Sequence, residues 1–215
     1  MFRLRKPDEQ LLRRIKEHYR DRPLTYTEAG CSREEEPVGY TVDHYRIQLG
    51  TGRTVFENAR AALCHWQVLQ LGWVQPCWPD ASVKEGTLVC TLARVFGLWT
   101  LNVCRIVYIT DDDGPVARFG FGYGTLPGHL ERGEERFQVE WNKTDDFVWY
   151  DIRVVSKPGG WLTWLAYPLA RWLQHRFGRD SLQAMCEKVR QQNGGQAIGS
   201  TTAQWCATSP TCLLI

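Results

Sequence analysis

The 215-residue chain has no run of the ~18 to 20 apolar residues that a helix needs to cross a bilayer, so no helical membrane span is expected. It shows no apolar leader, and none of its eight cysteines (31, 64, 77, 90, 104, 186, 206 and 212) stands in a CxxC pair. Scattered cysteines in such a chain are expected to be reduced, which points to the cytoplasm. Cys64, Cys90 and Cys104 then serve as small hydrophobes among apolar neighbours. Asp8, Glu9 and Glu17 interrupt the basic N-terminus and argue against a mitochondrial presequence. An excess of one charge is also missing: 26 basic and 24 acidic residues are interspersed and sum to +2, so nucleic acid is not an expected partner. The local basic clusters, Arg3 to Arg22 and Arg171 to Arg179, read as solvated helix faces.

Several motifs are incomplete. Gly50-Thr-Gly52 precedes a helix, but the third glycine of a dinucleotide fold and the Lys-Ser/Thr of a phosphate loop are absent. Asp111-Asp-Asp-Gly114 lacks the alternating oxygens and the later glutamate of a calcium loop. His65 has no partner at metal-ligand spacing. Neither a metal nor a cofactor is expected.

What is present is a change of period along the chain. Leu11, Leu12, Ile15 and Tyr19 give a short amphipathic helix, and residues 27–39 read as an exposed connector. Tyr40 to Leu49 alternates as a strand, and Thr54 with Glu57 predicts a capping box for a helix that buries Val55, Phe56, Ala59, Ala62, Leu63 and Trp66. From Gly86 the period becomes 2: strands are predicted at Leu88 to Val95, Trp99 to Ile109, around residues 118–125, at Glu134 to Trp141 and at Phe147 to Val155. Arg105 falls on the otherwise apolar odd face of its strand, where it must reach water or a partner. Trp161 to Gln191 returns to a helical period, with Pro168 expected to kink or restart it and Gly178 to loosen it. Its aromatic residues Trp161, Trp164, Tyr167 and Trp172 suit core packing, with a membrane interface as the other use. This order predicts an α+β fold in which a curved antiparallel sheet wraps one long C-terminal helix, an arrangement that can enclose an apolar cavity. It resembles the helix-grip fold (START-like, Bet v 1-like) by analogy. The expected division is an N-terminal helix and connector at 1–36, a main domain at 37–191 and a flexible tail at 192–215.

The central stretch, residues 118–136, alternates Phe119, Phe121 and Tyr123 with Gly120, Gly122 and Gly124. Its glycine face is bare, so a helix, another backbone or a ligand is expected against it. Together with Gly39-Tyr40, Val42-Asp43, Leu49-Gly-Thr-Gly-Arg53, Ala59, Ala62-Leu63, Trp66, Arg105-Ile-Val-Tyr108, Gly133-Glu-Glu135, Trp149-Tyr150 and Ser156-Lys-Pro158, the run Phe119-Gly-Phe-Gly-Tyr-Gly-Thr-Leu-Pro-Gly-His129 resembles the family known as domain of unknown function 1990, or uncharacterised protein family 0548. The resemblance spans roughly residues 23–190 and implies a soluble α+β protein with no assigned reaction.

Three functions stay open. The first is a module binding an apolar or amphipathic small molecule, with Arg105, Arg118, Gly120, Gly122, Tyr123, Gly124 and Tyr150 at the site. The second is an enzyme with His129 as acid or base, Glu134 or Glu135 orienting it, and Arg118 or Arg105 holding an anion; His129 and Glu134 are its catalytic pair. The third is a peripheral membrane protein prenylated at Cys212, since Cys212-Leu-Leu-Ile215 follows the pattern of a cysteine and two aliphatics, with Cys206 as a second lipid site.

Overall fold

The computed structural model describes residues 2–33, 37–159 and 167–194. The features expected at Glu34 to Glu36, Trp161, Trp164 and Leu165, and in the tail with Cys206 and Cys212, lie outside the described residues, as do the side chains of Tyr167 and Pro168.

The chain runs β1 (Phe2–Arg3), α1 (Glu9–Tyr19), β2 (Thr41–Thr51), α2 (Arg53–Cys64), a 3-10 turn (Gln67–Leu69), β3 (Val74–Pro76), β4 (Leu88–Val95), β5 (Leu98–Asp113), β6 (Val116–Thr125), β7 (Glu131–Asn142), β8 (Phe147–Pro158) and α3 (Tyr167–Gln192). One antiparallel sheet carries these strands in the order β2-β8-β7-β6-β5-β4-β3, with β1 added beside β5. The sheet curves around α2 and α3, which is the expected helix-grip architecture. Among the described residues no helix is long and apolar enough to cross a membrane.

Alternation along the strands divides the side chains between two faces. On the inner face Phe119, Phe121, Phe137, Tyr150 and Ile152 meet Phe56 and Leu63 of α2 and Leu182, Met185 and Val189 of α3 in the main core. On the outer face Leu88, Cys90, Leu92, Leu101 and Val103 take Leu12, Ile15 and Tyr19 of α1 as their cover. The amphipathic period of α1 has its cause here. Asp8 starts that helix by accepting the Leu11 amide at 2.8 Å.

Three local expectations change. Helix α2 starts from Gly52 at φ 87° with no side-chain cap, so the Thr54–Glu57 capping box does not form. Gly178 does not loosen α3: a Cβ there would lie 2.9 Å from the Tyr45 ring, so glycine admits the strand residue that holds the helix on the sheet. The Tyr45 hydroxyl reinforces that contact at 2.7 Å from His175 Nδ1. The third change is in β5, where the pairing with β6 shifts between Ile106 and Tyr108. Odd positions up to Arg105 share the outer face, and after the bulge Tyr108 takes that face while Ile109 turns inward against the core.

Candidate functional site

The core is full at one end of the sheet and empty at the other. Bulky inner residues such as Trp66, Phe121 and Phe137 fill the α2 end. At the β4–β5 end the same face carries Thr91, Ala93, Thr100 and Asn102, which the register places as the neighbouring pairs Thr91↔Asn102 and Ala93↔Thr100. Gly133 and Ser156 continue this row of small residues across β7 and β8. Side chains this short do not reach α3, and a cavity of about 610 Å³ remains between the sheet and Leu169, Leu173 and Phe177 of the helix. Its walls are mostly apolar, with Val89, Val95 and Val154 among them.

One end of the cavity is ionisable. Tyr123, His129, Glu131 and Glu135 all line it. The Tyr123 hydroxyl donates to Glu135 Oε2 at 2.7 Å. Burial pushes the Glu135 carboxyl up to about 8, with the negative charges of Glu131 and Asp43 adding to the effect and the Tyr123 hydrogen bond opposing it. Burial likewise raises Glu131 to about 7, and its Oε1 has no hydrogen-bond partner among the described residues. His129 is moved the other way, to about 4, because burial disfavours its cation. Its Nδ1 lies 3.1 Å from the Glu131 amide and accepts from it, which leaves the ring proton of the neutral imidazole on Nε2.

These shifts set a stability profile. Between the ordinary carboxyl value of 4.5 and about 8, the folded protein keeps protons on Glu131 and Glu135 that the unfolded chain has lost, so stability falls as pH rises through 7 and 8. For His129, stability present above 6.5 is lost as pH falls toward 4, because the unfolded chain binds that proton first. Thermal melts from pH 4 to 9 are expected to show a maximum between these limits, and Glu135→Gln is expected to flatten the alkaline limb. An unchanged alkaline slope in that variant would remove Glu135 as its cause.

The structure separates the residues that sequence reasoning grouped. Glu134, expected as the catalytic partner of His129, points its side chain to the opposite face, because adjacent strand residues alternate. There its buried carboxylate accepts from the Tyr26 hydroxyl at 2.6 Å, the Gly30 amide at 2.6 Å, and the Ser32 amide and hydroxyl at 3.1 and 2.8 Å. The connector is therefore no exposed loop around Tyr26, Cys31 and Ser32, all of which are buried. Arg105 holds no ligand head group: it donates to the carbonyls of Tyr19, Arg20 and Arg22 at 2.8 to 2.9 Å, satisfying the unpaired C-terminal end of α1. Arg118, also outside, pairs with Glu140 at 3.3 Å and Asp112 at 3.8 Å.

The glycine face borders packed atoms rather than the cavity. A Cβ at Gly120 would run into the Phe137 carbonyl, one at Gly122 into the Tyr108 ring, and one at Gly124 into the Tyr26 hydroxyl. Tyr150 is fully buried in the main core, its hydroxyl 3.1 Å from Ser181 Oγ. Of the expected residues, Tyr123 and His129 meet at the cavity, where Glu131 and Glu135 join them.

Residues 25–184 match the family model described as Domain of unknown function (DUF1990). A UPF0548 protein of Dictyostelium discoideum is 34% identical over 208 residues, covering 88% of this chain and 96% of the relative. One from Deinococcus radiodurans is 34% identical over 191 residues, covering 83% and 94%. Among solved structures, the hypothetical protein jhp0584 of Helicobacter pylori aligns with a TM-score of 0.45 at 12% identity, over 78% of this chain and 94% of that one. Human STARD10 aligns with a TM-score of 0.41 at 10% identity, over 89% and 84%.

Proposed function

We propose a function for this chain, which belongs to the family described as Domain of unknown function (DUF1990): it is a binding module that holds an apolar or amphipathic small molecule between the sheet and α3. The observation that carries this reading is the cavity of about 610 Å³, a volume in the range of small-molecule sites. Its walls are apolar and its polar groups gather at one end, the distribution that lets a site bury a hydrocarbon body while fixing the orientation of a head group. Burial of apolar ligand surface supplies the binding energy, about 25 cal/mol for each Å² removed from water. The glycine strand contributes indirectly. Its bare outer face lets Tyr26 and Tyr108 come close, which seats the N-terminal segment and holds β6 in place, so that Tyr123 is presented inward.

The test is a titration with Nile red, an uncharged dye whose emission rises and shifts to the blue in apolar surroundings. Saturable binding of one dye per chain is expected. A linear, unsaturable response would contradict the reading.

A second reading rests on the two raised carboxyls beside a neutral imidazole. Carboxyl groups whose protons come off near 7 and 8 are suited to donating and accepting protons at neutral pH. An acid–base enzyme built here would draw on His129 with Glu131 or Glu135, since the Glu134 carboxylate faces the other side of the sheet.

A further inference from the structure

The polar end of the cavity offers negative groups and no cation to neutralise them. Among the described residues that line it there is no lysine or arginine. Glu131 Oε1 is buried without a partner, and Glu135 receives one hydrogen bond, from Tyr123, on a single oxygen. The guanidinium that acts on Glu131, that of Arg171, is clamped across both carboxylate oxygens of Asp43. His129 is kept neutral by its burial, so it does not serve as the missing cation.

Resting on the binding-module reading, we propose that the ligand is an amphipathic amine, with a hydrocarbon or aromatic body along Val89, Ala93 and Leu173 and one ammonium head group among the carboxyls of Glu131 and Glu135. A carboxyl withdrawn from water is stabilised either by a proton or by a positive partner, and an ammonium supplies the charge together with three N–H donors. The exchange balances in charge: as the ammonium enters, the carboxyl that pairs with it gives its proton to solvent. The alternatives fare worse for stated reasons. A fatty carboxylate would place a further negative charge beside two glutamates and Asp43, with no lining cation to meet it. An alcohol of equal length would gain the same apolar contact and a neutral hydrogen bond, which is about half as strong as a charge-assisted one.

Displacement of Nile red at pH 8 by dodecylamine, dodecan-1-ol and dodecanoic acid, each below its micelle concentration, tests this on the intact chain. Dodecylamine is expected to bind at least about tenfold more tightly than the alcohol, and the acid more weakly than the alcohol. The amine-to-alcohol ratio, taken within each variant, is expected to fall toward one in Glu135→Gln and Glu131→Gln. If Nile red binds but the three ligands compete equally, or the acid competes best, the amine assignment is wrong while the cavity reading stands. If the ratio survives both substitutions, the head group sits elsewhere and the assignment is likewise wrong. If Nile red does not bind saturably, the binding-module reading fails and the amine assignment falls with it.

Discussion

Glu134→Ala is expected to destabilise the protein by about 3 to 5 kcal/mol, the range for uncovering a buried hydrogen-bonded network of this kind. In a chain of this size that corresponds to a fall in Tm of about 10 °C. Four donors converge on this carboxylate, from Tyr26, Gly30 and both groups of Ser32, and alanine leaves all four without their acceptor. The loss spreads beyond one residue, because the Ser32 hydroxyl that donates to Glu134 accepts from Tyr108 at 2.7 Å and so ties the same segment to β5. Residues 24–32 are therefore expected to release first, and limited proteolysis of the variant should nick the chain there. The neighbouring change, Glu135→Gln, is expected to leave Tm close to the parent at pH 7 and above it at pH 9, since the raised carboxyl is already protonated in the folded state at neutral pH. Calorimetry on the two variants checks both results. Equal losses from the two would contradict the separation of these glutamates onto opposite faces.

Thr91→Trp carries the second large effect. Thr91 faces the cavity beside Asn102, where the short side chains leave the gap below α3. A tryptophan at this position occupies the volume a ligand would use, and β4 tolerates it because aromatic residues suit half-buried strand positions. Nile red affinity is expected to fall at least about tenfold. Tm is expected to hold or rise, because filling a void adds contacts without burying a new polar group. Retained affinity in a folded variant would place the dye outside the cavity.

The architecture was legible because its strands announce themselves by period. Leu88 to Val95 alternates so regularly that its predicted and observed limits coincide, and the glycine strand marks itself by composition. What escaped depends on contacts far apart in the chain. Glu134 looks like a site residue in isolation, and only the fold brings Gly30 and Ser32, more than 100 positions away, onto its oxygens. Arg105 stood out correctly as a charge on an apolar strand face, but its partners are the last carbonyls of α1, which no local pattern names. The glycine face was read as the place where something comes close, and something does: side chains from other segments, on the side away from α3. The cavity had a faint sequence signal in Thr91, Thr100, Asn102 and Thr125, small or polar residues at strand positions where bulky ones are usual. That signal becomes readable only once the register sets them on one face.

The most direct test of the central claim is nuclear Overhauser contact between bound Nile red and methyl-labelled protein. The account predicts contacts from the dye to the methyl groups of Val89, Ala93 and Leu173, which line the cavity. Contacts confined to Leu12, Ile15 and Leu24 on the outer face would contradict it.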